Sequence, residues 1–268
     1  MKAQVSLTPV ESKRLIAKAV KEHDKVKKAL KEGIVAIALG STNAFVAEEI
    51  LGKEIEKGRY IAGMVDERGS CVVPRGERMK EVVLEKGKVI DEKLEEVVLR
   101  MGRGDVFVKG GNALDFDGIA GVMLASKTGG TIGSVLGILK SRGVDLIIPI
   151  GLEKLVPYSI TEVSRKTGIY ETDLSTGIPV GIMPISGEVI TEIEAFELLT
   201  ETRVYPMGSG GVGGGGGSHT FLIEGPDDEV KKAFELAEEV KGEKPIPALR
   251  GDCASCIYEY CPFHARKG

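Results

Sequence analysis

The last sixteen residues carry the sharpest chemical signal in the sequence, the run Cys253-Ala-Ser-Cys256-Ile-Tyr-Glu-Tyr-Cys261-Pro-Phe-His264. Its C-x2-C-x4-C-x2-H spacing can close three thiolates and an imidazole around one ion. That donor set suits zinc, while the short spacing and the Cys-Pro pair also suit an iron–sulfur cluster. The expectation is a metal centre built from Cys253, Cys256, Cys261 and His264, zinc or iron–sulfur, with unligated thiols on a loose terminus as the other reading. Cys71, in DERGSCVVPRGERM, stands apart from the tail. Arg68, Arg75 and Arg78 nearby could depress its pKa and make it a nucleophile, but a small apolar residue opening the CVV strand is the simpler reading.

Glycine-led loops form the second group. Gly40, Ser41, Thr42 and Asn43 lie between an apolar run, IVAIALG, and a helical pattern, AFVAEEIL. Free backbone N–H groups and the positive end of a helix dipole converge there on any anion, and the Ser and Thr hydroxyls add donors. Helix capping by Ser41 or Asn43 accounts for the same residues. Lys127, Thr128, Gly129, Gly130 and Thr131 occupy an equivalent place before SVLGILKSRG. Glycines permit close backbone approach and Lys127 brings a charge, yet no Gly-Lys-Ser/Thr ends the loop, which removes P-loop ATP hydrolysis. A glycine turn that lets helix and sheet pack closely is the alternative.

Between these loops runs DVFVKGGNALDFDG, in which Lys109 ends a strand and Gly110, Gly111 and Asn112 turn the chain toward Asp115 and Asp117. A lysine and a carboxylate in one cleft can hold an anionic substrate and move a proton. Turn formation explains Asn112, Asp115 and Asp117 almost as well. Further on, Gly208, Gly210 and Gly213 spell a literal G-x-G-x-x-G, but a strand, HTFLIEG, follows it instead of a helix, so NAD is not expected. The Gly208–Gly217 tract is read as a loop, either over a ligand with His219 at its edge or as a disordered connection.

The elements that must position these groups follow from periodicity. The chain has 268 residues, and Lys plus Arg total 36 against 40 Asp plus Glu, so a net charge of −4 gives no field for gripping nucleic acid. The opening MKAQVSLTPVESKRLIAKAV lacks an apolar core, and later apolar runs are broken by charge, which predicts a cytoplasmic protein with no membrane partner. Thr8, Pro9 and Glu11 are helix-start signals, and one amphipathic helix is expected to run to about Ala29 and stop near Gly33. IVAIALG, DVFVKGG, GVMLAS and VDLIIPIG alternate with helical patterns, the grammar of an open, mostly parallel α/β sheet with helices on both faces. The expected organisation is this domain over 1–187, a smaller α+β lobe with the glycine loop over 188–245, and a cysteine-rich metal-binding tail over 246–268.

GSTNAFVAEEI and KGGNALDFDG resemble segments of the superfamily that includes ribose-5-phosphate isomerase, glucosamine-6-phosphate deaminase and CoA transferases. KGG is similar to the isomerase's lysine–glycine motif, and GGNALDFDG to the Gly-x-Asn-Ala…Asp-Gly segment of lactate-utilisation (LUD-like) and initiation-factor-2B-like relatives. The resemblance spans roughly residues 34 to 155. It implies a Rossmann-like sheet that binds phosphorylated sugars, nucleotides or CoA esters at its strand ends. Lys109 and the Ser41–Asn43 loop carry over. The isomerase's Gly-Ala-Asp-Glu motif has no counterpart, and Gly118 stands where its catalytic glutamate would fall. The expected function is therefore that of an isomerase- or transferase-type enzyme acting on a small anionic metabolite, with Lys109 as clamp and Asp115 or Asp117 as acid/base. The alternative is a non-catalytic accessory protein that senses a metabolite, metal or redox state. A homo-oligomer is compatible with either.

Overall fold

The computed structural model describes residues 1–265; the last three positions of the expected tail lie outside the described residues. Strand β1 (Lys2–Leu7) precedes helices α1 (Pro9–Glu22) and α2 (Asp24–Glu32), followed by β2 (Ile34–Ile37) and α3 (Ser41–Leu51). A hairpin of β3 (Gly63–Asp66) and β4 (Gly69–Val72) leads to β5 (Val82–Glu85), β6 (Lys88–Val89) and a single turn, α4 (Leu94–Val97). Next come β7 (Val106–Val108), β8 (Ala113–Leu114), β9 (Ala120–Leu124), α5 (Gly130–Arg142), β10 (Asp145–Pro149) and α6 (Ile160–Ser164). The chain ends with β11 (Gly181–Ile185), β12 (Glu188–Ile190), α7 (Glu192–Leu199), β13 (Arg203–Gly210), β14 (Ser218–Glu224), α8 (Asp227–Glu239) and α9 (Pro262–Ala265).

The principal sheet has the order β12-β10-β7-β2-β5-β6. Its strands β12, β10, β7 and β2 run parallel, while β5 and β6 close one side antiparallel. IVAI and VFV are buried at every position, as continuous apolar strands covered on both faces must be. Val35, Ile37, Val106 and Val108 face a core filled by α1, α3 and α7. Ala36, Phe107, Leu146 and Ile148 face a second core filled by α4 and α5. The result is a mixed α/β fold with helices against both faces of a multi-strand sheet, consistent with a generic Rossmann-like arrangement.

Two strands sit elsewhere than the sequence grammar suggests. GVMLAS does form a strand, β9, but within a separate antiparallel sheet of order β11-β9-β8. Its strands β8 and β9 belong to the β7-to-β10 crossover and β11 to the β10-to-β12 connection, so β9 never reaches the parallel ladder. The N-terminal residues, unassigned by periodicity, form β1 and pair antiparallel with β14 across the whole chain, Lys2 opposite Glu224 and Leu7 opposite His219. With β13 they make the smaller sheet, packed under α8. Because β12 belongs to the principal sheet and β1 to the smaller one, the two sheets do not part at residue 187.

The capping box at Thr8 forms, with Pro9 as the first helical residue and Glu11 reaching back to the Thr8 amide at 2.8 Å. The expected single helix is broken at His23, whose ψ of 132° is extended, giving α1 and α2. Arg14 on α1 forks to Glu48 and Glu49 on α3 and to Glu243 beyond α8, at 2.5, 2.8 and 2.8 Å. Burial alone would lower its pKa, but three carboxylates outweigh it and raise it. Among the described residues no helix is long and apolar enough to cross a membrane.

Candidate functional site

Parallel pairing of β2, β7, β10 and β12 forces four strand tips side by side, and ligands of open α/β sheets collect at such carboxyl ends. The tips are Gly40–Asn43, Lys109–Asn112, Gly151–Lys154 and Thr191–Glu192. After β2 the chain turns straight into α3 at Ser41. Asn43 donates through Nδ2 to the carbonyls of Ala38 at 2.8 Å and Val108 at 3.3 Å, stitching the β2 tip to β7. Its Oδ1 is buried without a hydrogen-bond partner among the described residues and faces Gly110, 3.6 Å from where a Cβ would stand. Thr42 Oγ1 is likewise buried and unpartnered.

Two lysines stand over this edge. Lys109 Nζ donates to the Gly110 carbonyl at 2.9 Å and Lys154 Nζ to the Gly111 carbonyl at 3.0 Å. Burial pushes the Lys109 ammonium down to about 8, helped by the charge of Lys154. Lys154 is also held at about 8, by burial and by Lys13, against the opposing pull of Glu153 and Glu192. No carboxylate forms an ion pair with either lysine among the described residues.

Two carboxylates complete the cluster, and their environments push them in opposite directions. Glu153 would be raised by burial, but Lys13, whose Nζ lies 2.8 Å from Oε1, and Lys154 bring its pKa below the ordinary value. Its Oε2 is a third buried atom with no hydrogen-bond partner among the described residues. Glu192 is almost wholly buried, and burial together with the charge of Glu153 raises its pKa. Its Oε2 accepts the Leu152 amide at 2.9 Å. Gly151 makes this possible: a Cβ there would fall 1.9 Å from Glu153 Oε2 and 3.2 Å from Glu192 Oε1.

No family model, curated protein or solved structure matches the chain.

Of the residues singled out in the sequence, Gly40, Ser41, Thr42, Asn43, Lys109, Gly110 and Gly111 share this edge. Asn112 turns away, its Oδ1 accepting the Met123 amide at 3.0 Å. Asp115 is buried and occupied by backbone: Oδ1 accepts from Asp117 and Ile119 at 3.1 and 2.9 Å, and Oδ2 from Ile160 at 3.0 Å. Asp117 is exposed in the same turn. Lys127–Thr131 follows β9, not a strand of the principal sheet, and lies near the tail, where Tyr260 donates to the Ala125 carbonyl. Lys13, Glu153, Lys154 and Glu192 were not singled out, although the last three follow VDLIIPI and EVI directly.

Gly208–Gly210 of the expected loop instead close strand β13, paired with Thr220, His219 and Ser218, and only residues 211–217 form the tip of the β13–β14 hairpin, with HTFLIE in β14 as expected. The tip ends against the cluster, a Cβ on Gly217 falling 3.4 Å from Glu153 Cβ.

The expected metal centre is not formed. Among the described residues no group of three or more His, Cys, Asp or Glu side chains is placed to hold an ion, which overturns both the zinc and the iron–sulfur expectation for Cys253, Cys256, Cys261 and His264. The cysteines are free. Cys253 lies in a short turn capped by Asp252, and His264 on α9, so the local turns distribute the side chains along a wall instead of around a point. Cys71 does not stand apart: it lines the same cavity as the tail.

Proposed function

We propose that the carboxyl edge of the parallel sheet binds a small phosphorylated or otherwise anionic metabolite and moves a proton on it, as an isomerase- or transferase-type enzyme does. One observation carries this reading: among the described residues Thr42 Oγ1, Asn43 Oδ1 and Glu153 Oε2 are buried and unpartnered on the strand edge that also bears Lys109 and Lys154, neither of which forms an ion pair with a described carboxylate. A buried polar atom without a partner is costly and rare in a folded protein, and three at one strand edge match a ligand that brings both hydroxyls and negative charge. The resemblance of residues 34 to 155 to sugar-phosphate and CoA-ester enzymes points the same way.

The division of labour follows from the groups. The amides opening α3 and the Thr42 hydroxyl donate to the anion. Lys109 and Lys154 clamp its charge, and Asn43 Oδ1 accepts from a substrate hydroxyl. Paired carboxylates whose pKa values are driven apart are suited to base and acid roles. Glu153, lowered by Lys13 and Lys154, is the base that takes a proton from carbon beside a carbonyl; Glu192, raised by burial, is the acid that protonates the carbonyl oxygen. These roles replace those expected for Asp115 and Asp117.

The test is solvent-deuterium incorporation, followed by NMR, across a panel of ketose and aldose phosphates and CoA esters. Exchange is expected with at least one compound, and Glu153→Gln is expected to slow it by about 100-fold or more while leaving binding in place. Binding with no exchange across the panel would favour a metabolite sensor, and unchanged exchange in both Glu153→Gln and Glu192→Gln would refute the assignment.

A pH dependence also follows. Sulfate carries a fixed charge above pH 3, so its affinity reports the lysines. Binding is expected to be flat below pH 7 and to decline as Lys109 and Lys154 lose their protons near pH 8. Calorimetric titration at pH 6.5, 8 and 9.5 measures this; constant affinity to pH 9.5 contradicts it.

A further inference from the structure

The tail and the β3–β4 hairpin enclose a cavity of about 290 Å3, lined by none of the strand-edge residues. All four cysteines of the chain stand in its wall, Cys71 from β4 and Cys253, Cys256 and Cys261 from the tail. The thiol sulfur is polarisable and packs favourably around aromatic ring edges, so this wall suits an aromatic body better than a hydroxylated one. Burial pushes the Cys71 thiol above its ordinary pKa, which keeps it neutral at physiological pH and without a charge to repel an anion.

The charged groups of the cavity are not equally committed. Arg250 forks onto Asp66, with Nε 2.6 Å from Oδ2. Asp252 accepts the Ala254 amide at 3.0 Å and the Ser255 hydroxyl at 3.2 Å. Arg75 is exposed. Arg78 is half-buried, donates through Nε to the Val73 carbonyl at 2.7 Å and bonds the Tyr258 hydroxyl, yet no carboxylate lies within ion-pair distance of it among the described residues. Burial lowers its pKa and the charge of Arg75 adds to this, while Tyr258 and Glu81 pull the other way. His264 lines the same cavity, its Nδ1 buried and without a hydrogen-bond partner among the described residues.

We propose that this cavity binds a small aromatic carboxylate, its ring against the four sulfurs and its carboxylate on the Arg78 guanidinium. The volume sits near the lower limit of small-molecule sites, about 300–1,000 Å3, which fits a one- or two-ring acid. The site is separate from the strand-edge cluster, none of whose residues line this cavity.

The probe is 2-naphthoate, with neutral, nearly isosteric 2-naphthamide as control, titrated by fluorescence against the full chain. One saturable site is expected for the acid, and Arg78→Met is expected to weaken it by about ten-fold or more while leaving the amide within about two-fold, the size of one lost charge-assisted contact. Amide binding as tight as acid binding, or acid binding unchanged in Arg78→Met, overturns the proposal. A second measurement needs no variant: 2-naphthoate is expected to slow N-ethylmaleimide alkylation of the four cysteines, read by peptide mass spectrometry, and 2-naphthamide to slow it less. No protection by saturating acid overturns the proposal as well.

Discussion

Lys109→Met is expected to weaken sulfate binding by about 10- to 100-fold at pH 7, the effect of removing one charge-assisted contact worth about 1.5–3 kcal/mol. The same substitution is expected to raise the melting temperature, because burial holds the ammonium at about 8, well below the ordinary lysine value. A lysine whose folded pKa is depressed favours the fold only above its unfolded pKa, and that contribution is lost as pH falls toward the folded value. At neutral pH the charged group is therefore a burden, of about 1–3 kcal/mol when its remaining solvent contact is allowed for. Methionine removes the charge and keeps the chain length. Lys127→Met is the control, since that side chain is exposed on a different sheet's loop, and its sulfate affinity is expected within about two-fold of the parent. Binding unaffected by Lys109→Met, or a fold weakened by it at pH 7, would remove this residue from the site.

A trade of stability for charge at one strand edge explains which parts of the molecule local pattern could reveal. IVAI and VFV announce buried strands because both faces are covered, and Thr8, Pro9 and Glu11 announce a helix start because capping is settled within four residues. Lys109 and the Ser41–Asn43 loop were legible for the same reason, each lying directly after such a strand. Glu153, Lys154 and Glu192 have no local signature. GLEK reads as a solvated loop, and Glu192 as an acidic first-turn residue beside its cap Thr191. Only the parallel pairing of β12 on β10 sets those two tips together, and that pairing is a fact of topology. Lys13 is harder still, a polar position in an amphipathic helix that becomes buried where α1 crosses the sheet edge. Strand β1 alternates weakly and finds its partner more than two hundred residues away. Cys71 meets the tail cysteines across a similar distance, and the regular spacing of the tail pointed to a closed metal cage because spacing says nothing of where the intervening turns aim the thiols.

Asp115→Ala is expected to cost about 3 kcal/mol or more in folding free energy, the largest single loss of stability anticipated here. Its carboxylate is buried and accepts three backbone N–H groups, those of Asp117 and Ile119 in the β8–β9 turn and that of Ile160 at the start of α6. Removing the acceptor strands the Ile160 amide in a buried position and unties the turn from the helix, and each buried donor left unmade costs about 1–3 kcal/mol. For a chain of this size that corresponds to a drop of roughly 6–12 °C in melting temperature. Asp115→Asn keeps an acceptor on one oxygen and is expected to lose about half as much. Asp117→Ala, exposed in the same turn, is expected to stay within about 0.5 kcal/mol of the parent and to leave deuterium exchange on any active substrate unchanged. Urea and thermal melts of the three variants measure the stability differences, and exchange rates measured well below each melting point separate fold from chemistry. An Asp115→Asn protein that is fully folded yet devoid of exchange would return this carboxylate to the chemistry and displace Glu153 from it. An Asp115→Ala protein as stable as its parent would show that the three amide contacts contribute nothing to the fold.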